Sequence, residues 1–84
     1  MEIGLITRVD CIVKQHNNKD FQIAKLILKF NKEEYTILIP IWEFFDVFKC
    51  EEMEDAMYKK VEFQFEPQLS NSGYKKIPRI IKVL

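Results

Sequence analysis

Apolar and polar side chains alternate along most of the chain, and a period of two residues is typical of strands with one buried face. Polar, turn-forming segments interrupt the alternation at residues 16–20, 31–34 and 68–73. Pro67 is expected to end the fourth strand, because proline cannot donate a hydrogen bond within a sheet. The pattern predicts five strands, at residues 3–13, 21–30, 35–41, 60–66 and 74–84.

The same alternation assigns the faces of these strands. In the first strand one face is expected to hold Leu5, Val9, Cys11 and Val13. In the last strand one face is expected to hold Ile77, Ile81 and Val83. The second strand has the clearest pattern, with an inward row of Ala24, Leu26, Leu28 and Phe30 and an outward row of Phe21, Ile23, Lys25, Ile27 and Lys29.

After the third strand the period of the apolar residues changes. Ile41, Phe44, Phe45 and Phe48 recur at helical spacing, and Met53, Ala56 and Met57 continue the apolar stripe. The spacing predicts one helix at 42–58, with a break near Lys49 and Cys50. The chain therefore has the order β-β-β-α-β-β and forms a single domain over residues 1–84.

This order resembles that of the small OB-fold single-stranded DNA-binding proteins of phages and mobile elements. In that family a helix after the third strand plugs one end of a five-stranded barrel. The resemblance covers residues 3–84 and rests on element order and length. It implies a mainly β, five-stranded OB-like barrel with one helix between strands 3 and 4. An SH3-like barrel with an inserted helix and an open α+β sheet are alternatives for the same order.

Composition restricts the classes of protein that remain. The chain has 84 residues, 48% of them hydrophobic, and a formal net charge of zero, so any anion-binding surface must come from a segregation of charge. Cys11 and Cys50 have no metal-type spacing and are expected to be reduced thiols. Without a long apolar segment or a basic, apolar leader, the expected location is cytoplasmic and the chain is not expected to bind a membrane.

The charges are in fact segregated along the sequence. Residues 43–55 contain six acids and one base, a net charge of −5, and the rest of the chain has a net charge of +5. The pattern indicates an acidic helix facing away from a basic strand surface that contacts phosphates. Solvated helix acids and ordinary strand lysines are the alternative explanation.

Single-strand binders combine cations for the phosphates with flat rings on which bases stack. The outward row of the second strand has this mixture, and in an OB-fold the first-to-second and fourth-to-fifth strand loops flank such a surface. The predicted nucleic-acid-binding residues are Lys14, Lys19, Phe21, Lys25, Lys29, Tyr74, Lys75 and Lys76. The expected partner is single-stranded DNA or RNA, with DNA favoured.

Aromatic residues at the start of the predicted helix suggest a second function. Four large rings in seven positions cannot all face one direction on a helix, so some are expected to form an interface between copies of the chain or with a protein partner. The predicted interface residues are Trp42, Phe44, Phe45 and Phe48. On this hypothesis the chain is a protein-interaction or inhibitor module of a phage or mobile element that acts through helix 42–58.

Catalysis has little support in the sequence. The only histidine, His16, lies in a polar segment, and Gly4 and Gly73 are the only glycines, so a glycine-rich phosphate loop is excluded. No nucleophile, base and orienting group occur in a recognisable arrangement. The expectation is a binding protein without enzymatic activity, cofactor or metal.

Overall fold

Five strands and one α-helix follow one another in the predicted order, and the computed structural model describes all 84 residues. A short 3₁₀ helix, Met53–Ala56, lies between the α-helix and the fourth strand. The elements are β1 (Glu2–His16), β2 (Lys19–Phe30), β3 (Glu33–Pro40), α1 (Ile41–Phe48), β4 (Lys60–Ser70) and β5 (Gly73–Val83).

The strands form a single antiparallel sheet in the order β3-β2-β1-β4-β5. Successive neighbours run in opposite directions, so the two edge strands, β3 and β5, run in the same direction. They approach until some of their Cα atoms lie within 8 Å of each other, but no hydrogen bond joins them. The mainly β class and the single helix between strands 3 and 4 are confirmed, whereas the sheet is not closed by strand pairing.

Two-residue turns make the first two hairpins longer than the sequence pattern predicts. Asn17 and Asn18 both have positive φ, and so do Asn31 and Lys32. Positive φ at both central residues matches the right-handed twist of the flanking strands, and asparagine tolerates this region better than most residues. Strand pairing therefore extends to His16 and Lys19, and the polar loop predicted at residues 16–20 is reduced to Asn17 and Asn18.

The β4–β5 hairpin is also longer than predicted, because Pro67 does not end β4. This proline pairs with Lys76, and the ladder continues to Ser70 and Gly73. Only the start of β4 pairs with β1, at Lys60–Phe63, so Pro67 has a neighbouring strand on one side alone. Proline is tolerated there because no strand lies on its other side to accept a hydrogen bond from the missing N–H.

One apolar cluster fills the concave side of the sheet beneath α1. It consists of Ile6, Ala24, Leu26, Leu28, Ile37, Phe44, Phe48, Ala56, Val61 and Phe63. The predicted inward row of β2 is confirmed, since Ala24, Leu26 and Leu28 are fully buried. Within α1 the rings of Phe44 and Phe48 stack at a centroid distance of 4.8 Å. The helix contacts β2, β3 and β5, and therefore bridges the two open edges.

Irregular pairing changes the predicted face of two strands. In β1 the register shifts between Ile6 and Arg8. The core-facing residues on either side of the shift are Ile6 and Val9, and Leu5 lies on the opposite face. In β5 the shift opposite Glu62 and Phe63 leaves Ile81 unpaired. A bulge adds one residue to one strand and reverses the alternation beyond it. Beyond this bulge Pro78 and Ile80 are on the core side, and Ile77, opposite Glu66, is on the other face from Val83. The assignments of Leu5, Ile77 and Ile81 were therefore wrong.

The predicted helix at 42–58 is interrupted where a break was expected. α1 ends at Phe48, and Lys49 adopts the left-handed conformation while its N–H donates to the carbonyl of Phe45 at 3.0 Å. A left-handed residue at this position ends many helices. The remaining predicted turns are replaced by the 3₁₀ helix. Neither helix has the length and apolar character that a membrane-spanning helix requires.

Candidate nucleic-acid interface

The outer face of β1, β2 and β3 is the side of the sheet that α1 does not cover. Strand alternation places the odd-numbered residues of β2 on this face, since its even-numbered neighbours face the core. Lys25 lies between Asp10 of β1 and Leu38 of β3, and Ile27 lies between Arg8 and Thr36. The outer face therefore has aliphatic residues at its centre with charged residues between them.

Positive charge dominates this outer face. Its bases are Arg8, Lys14, Lys19, Lys25 and Lys29, and its acids are Asp10 and Glu34. Arg8 Nε and Asp10 Oδ2 form an exposed ion pair at 3.0 Å, and Glu34 is opposite Lys29 in the register. None of the ion pairs in the protein involves Lys14, Lys19 or Lys25. These three lysines are therefore available to an external anion.

Phe21 and Trp42 line a single open groove at one end of the outer face. The groove has a volume of about 670 Å³ and is lined by Asp20, Phe21, Gln22, Ile23, Pro40, Ile41 and Trp42. The two rings are accessible, with 46% of Phe21 and 69% of Trp42 exposed. The sequence pattern assigned Phe21 to nucleic acid and Trp42 to a protein partner, whereas the structure places them together.

Basic and aromatic side chains surround this groove. Lys14 is directly opposite Phe21 in the β1–β2 register, and Lys19 is opposite His16. The rings of His16 and Phe21 lie 6.4 Å apart between centroids, at an interplanar angle of 47°. Lys14, Lys19 and Phe21, all predicted from the sequence, thus lie at the same end of the sheet as Trp42.

The predicted residues of the β4–β5 hairpin lie at a different place. Lys75 and Lys76 line a groove with Glu34, Tyr35 and Thr36, at the other end of β3. Tyr74 and Lys75 are consecutive residues of a strand and point to opposite faces. Tyr74 is 79% exposed. The two lysines flank the outer face near Lys29, and the structure does not bring Tyr74 and Phe21 together.

Only part of the predicted protein interface is accessible. Phe44 is fully buried and Phe48 nearly so, in the core beneath the sheet, and Phe45 is half-buried against the same cluster. Phe44 and Phe48 are one turn apart on the face of α1 that contacts the sheet. These two residues therefore stabilise the fold and cannot contact a partner, and Trp42 is the one predicted interface ring that is exposed.

Two titratable side chains away from the outer face, Tyr35 and Cys50, have raised pKa values. No cluster of three or more His, Cys, Asp and Glu side chains could hold a metal ion. The Tyr35 hydroxyl donates to Glu33 Oε2 at 2.7 Å, and this hydrogen bond raises the pKa of Tyr35. Burial, followed by the negative charge of Asp55, raises the pKa of the Cys50 thiol. Each shift has a local cause and neither group faces the outer surface of β2.

A carboxylate cluster accompanies the acidic segment on the core side of the sheet. Glu54 and Asp55 both raise the pKa of Glu52, with the hydrogen bond to Glu54 as the largest cause. The acidic segment is on the same side as α1, which packs on the concave face. The acidic segment and the basic outer face of β1, β2 and β3 thus lie on opposite sides of the sheet. Comparison with family models, with curated proteins and with solved structures finds no match to this chain.

Proposed function

We propose that this chain binds single-stranded nucleic acid, with DNA favoured, along the outer face of β1, β2 and β3. The observation that carries the proposal is the uncovered outer row of β2, in which Phe21, Lys25 and Lys29 alternate with aliphatic side chains. Lysines attract the phosphates, and apolar and aromatic side chains accept the unpaired bases. A double helix would not expose those bases, so a single strand is the ligand that uses both components.

The strand order supports an OB-like arrangement for this surface. An OB-fold is a partly open five-stranded barrel that binds oligonucleotides on strands 2 and 3 and on the loops between strands 1 and 2 and strands 4 and 5. Here the unpaired edges of β3 and β5 approach each other beneath α1. The lysines of the β4–β5 hairpin lie beside β3. A bound strand would extend from Phe21 to Lys29, a path of about 27 Å along β2.

The experiment is a titration of labelled oligo-dT of about 12 nucleotides, followed by fluorescence anisotropy. We expect micromolar binding at about 50 mM salt and a steep loss of affinity at about 200 mM, because phosphate contacts release counterions. A duplex of the same length serves as the control and is expected to bind less tightly. An unchanged anisotropy at the lower salt concentration would refute the proposal.

A protein partner is the second candidate, and the exposure of Trp42 favours it. The indole is 69% exposed at the start of α1, and it precedes the acidic segment that begins at Glu43. A large exposed aromatic residue is typical of an interaction site. On this hypothesis copies of the chain or a basic partner protein cover Trp42. Light scattering at high protein concentration tests self-association, and a strict monomer would exclude the homo-oligomer.

A further inference from the structure

We infer that the groove between Phe21 and Trp42 holds one unpaired nucleobase, which anchors one end of the bound strand. The inference rests on the proposed function and adds Trp42 to the binding residues. The groove has a volume of about 670 Å³, and sites of about 300–1,000 Å³ hold small-molecule groups. Its two rings come from different elements, β2 and α1, and both line the groove.

The groove is open because the β2–β3 ladder ends before it. β3 pairs with β2 only as far as Ile23 and Pro40, so the edge of β2 at residues 20–22 has no neighbouring strand on that side. Backbone N–H and C=O groups along an unpaired edge are available to a ligand. The groove therefore combines stacking surfaces with hydrogen-bonding groups, the two features by which proteins recognise unstacked bases.

Charge distinguishes where the base and its phosphates would lie. Asp20 lines the groove, and its carboxylate repels a phosphate but accepts hydrogen bonds from the N–H groups of a base. Lys14 and Lys19 occupy the neighbouring β1–β2 hairpin, beside Phe21 and His16. A base inside the groove can donate hydrogen bonds to Asp20, and the phosphates on either side of it can then lie close to Lys14 and Lys19.

Trp42 makes this inference directly measurable, because it is the only tryptophan in the chain. A base stacked on an exposed indole alters its emission. We expect oligo-dT to quench Trp42 fluorescence with the same midpoint as the anisotropy change. An abasic oligomer of equal length has the same phosphates and no bases, and it is expected to bind more weakly and to leave the emission unchanged.

Two substitutions in the groove and one outside it complete the test. Phe21→Ala and Trp42→Ala are each expected to weaken oligo-dT binding by about 5- to 150-fold. Tyr58→Ala removes a ring that is as exposed as that of Trp42 but lies outside the groove, and it is expected to leave the affinity unchanged. Thermal unfolding of each variant shows whether the fold is retained.

The outcomes separate the groove from the proposed function. The inference would be overturned, and the proposed function would stand, if anisotropy shows oligo-dT binding while Trp42 emission is unaltered and Trp42→Ala keeps the wild-type affinity. Absence of any anisotropy change would refute both. Equal quenching by the abasic oligomer would also overturn the inference, because it would show that phosphates, and not a base, perturb the indole.

Discussion

Phe21 and Trp42 line the same groove, just beyond the end of the β2–β3 ladder. The last pair of the ladder is Ile23 with Pro40, and Phe21 and Trp42 each lie two residues beyond it. The two-residue turn at Asn31 and Lys32 sets this register. A turn at the far end of the hairpin thus fixes which residues pair at the end of the ladder, next to the start of α1 that carries Trp42.

We expect Lys32→Gly to stabilise the protein by about 0.5–1 kcal/mol, because Lys32 has φ of 66° and a side chain disfavours the left-handed region. Asparagine followed by glycine is the preferred sequence for such a turn. Urea unfolding measures the change. Lys32→Ala removes the same charge and keeps a Cβ, so it is expected to be nearly neutral. Equal stability of the two variants would contradict the backbone explanation.

Lys25→Ala is expected to weaken oligo-dT binding and to reduce the slope of log affinity against log salt by about one. Lys25 is at the centre of the outer face, between Asp10 and Leu38. Lys49→Ala is the matched control, because Lys49 is exposed in the acidic segment and lies 3.8 Å from Asp46 Oδ1. Anisotropy titrations at several salt concentrations measure both slopes. A similar loss in the two variants would indicate that net charge alone governs binding.

Gly4→Ala is expected to destabilise the fold by about 1–3 kcal/mol. An added Cβ would lie 2.6 Å from Cδ1 of Leu28 and 3.0 Å from Cε1 of Phe63, and both side chains are fully buried. Leu28→Val removes the nearer methyl group. If the clash is the cause, the double variant is expected to be more stable than the sum of the two single effects predicts.

Ile80 and Ile81 provide a test of the bulge in β5. Ile80 packs against the core, whereas Ile81 is exposed. We expect Ile80→Ala to lower the free energy of unfolding by about 2 kcal/mol and Ile81→Ala by less than about 1 kcal/mol. Denaturant unfolding of the two variants gives the comparison. The reverse order would mean that the bulge lies elsewhere.

Alkylation of Cys50 is expected to be slow at pH 8 in the folded chain and faster after unfolding. Burial and Asp55 raise the pKa of the Cys50 thiol, so the reactive thiolate forms at higher pH in the folded state. The folded state therefore keeps the thiol proton of Cys50 to a higher pH than the unfolded state does. The stability that this bound proton contributes is lost as the pH rises through the raised pKa of Cys50. A Cys11→Ser variant isolates Cys50, and equal rates in the two states would contradict the shift.

The sequence predicted the features that depend on local pattern. The inward row of β2 and the break at Lys49 are both confirmed. Neither Thr7 nor Ile81 has a residue type that reveals a bulge, and each bulge depends on a pairing partner distant in sequence. Pro67 was misjudged for the same reason, since only the sheet order shows that one of its sides is unpaired.

The candidate site was also partly contained in the sequence. Strand alternation correctly placed Phe21 and Lys25 on one face of β2, and Lys14, which was expected in the neighbouring loop, pairs with Phe21. Trp42 was separated from them because it belongs to α1, and the sequence pattern does not show that α1 begins beside Phe21. Counting pairs outward from the turn at Asn31 places Pro40 beside Ile23, and Trp42 follows two residues later in the chain. The separation of Tyr74 from that group could not be predicted, because it depends on where the β4–β5 hairpin lies relative to β3.

The pairing of β1 with β4 sets the order in which this chain can fold. All other ladders join consecutive strands across two-residue turns, whereas Glu2–Leu5 pair with residues more than fifty positions away. Closing so long a loop costs entropy before any contact offsets it, and distant pairing slows folding. We therefore expect the β1–β3 meander and the β4–β5 hairpin to form early in folding, and the short β1–β4 seam that unites the core to form late.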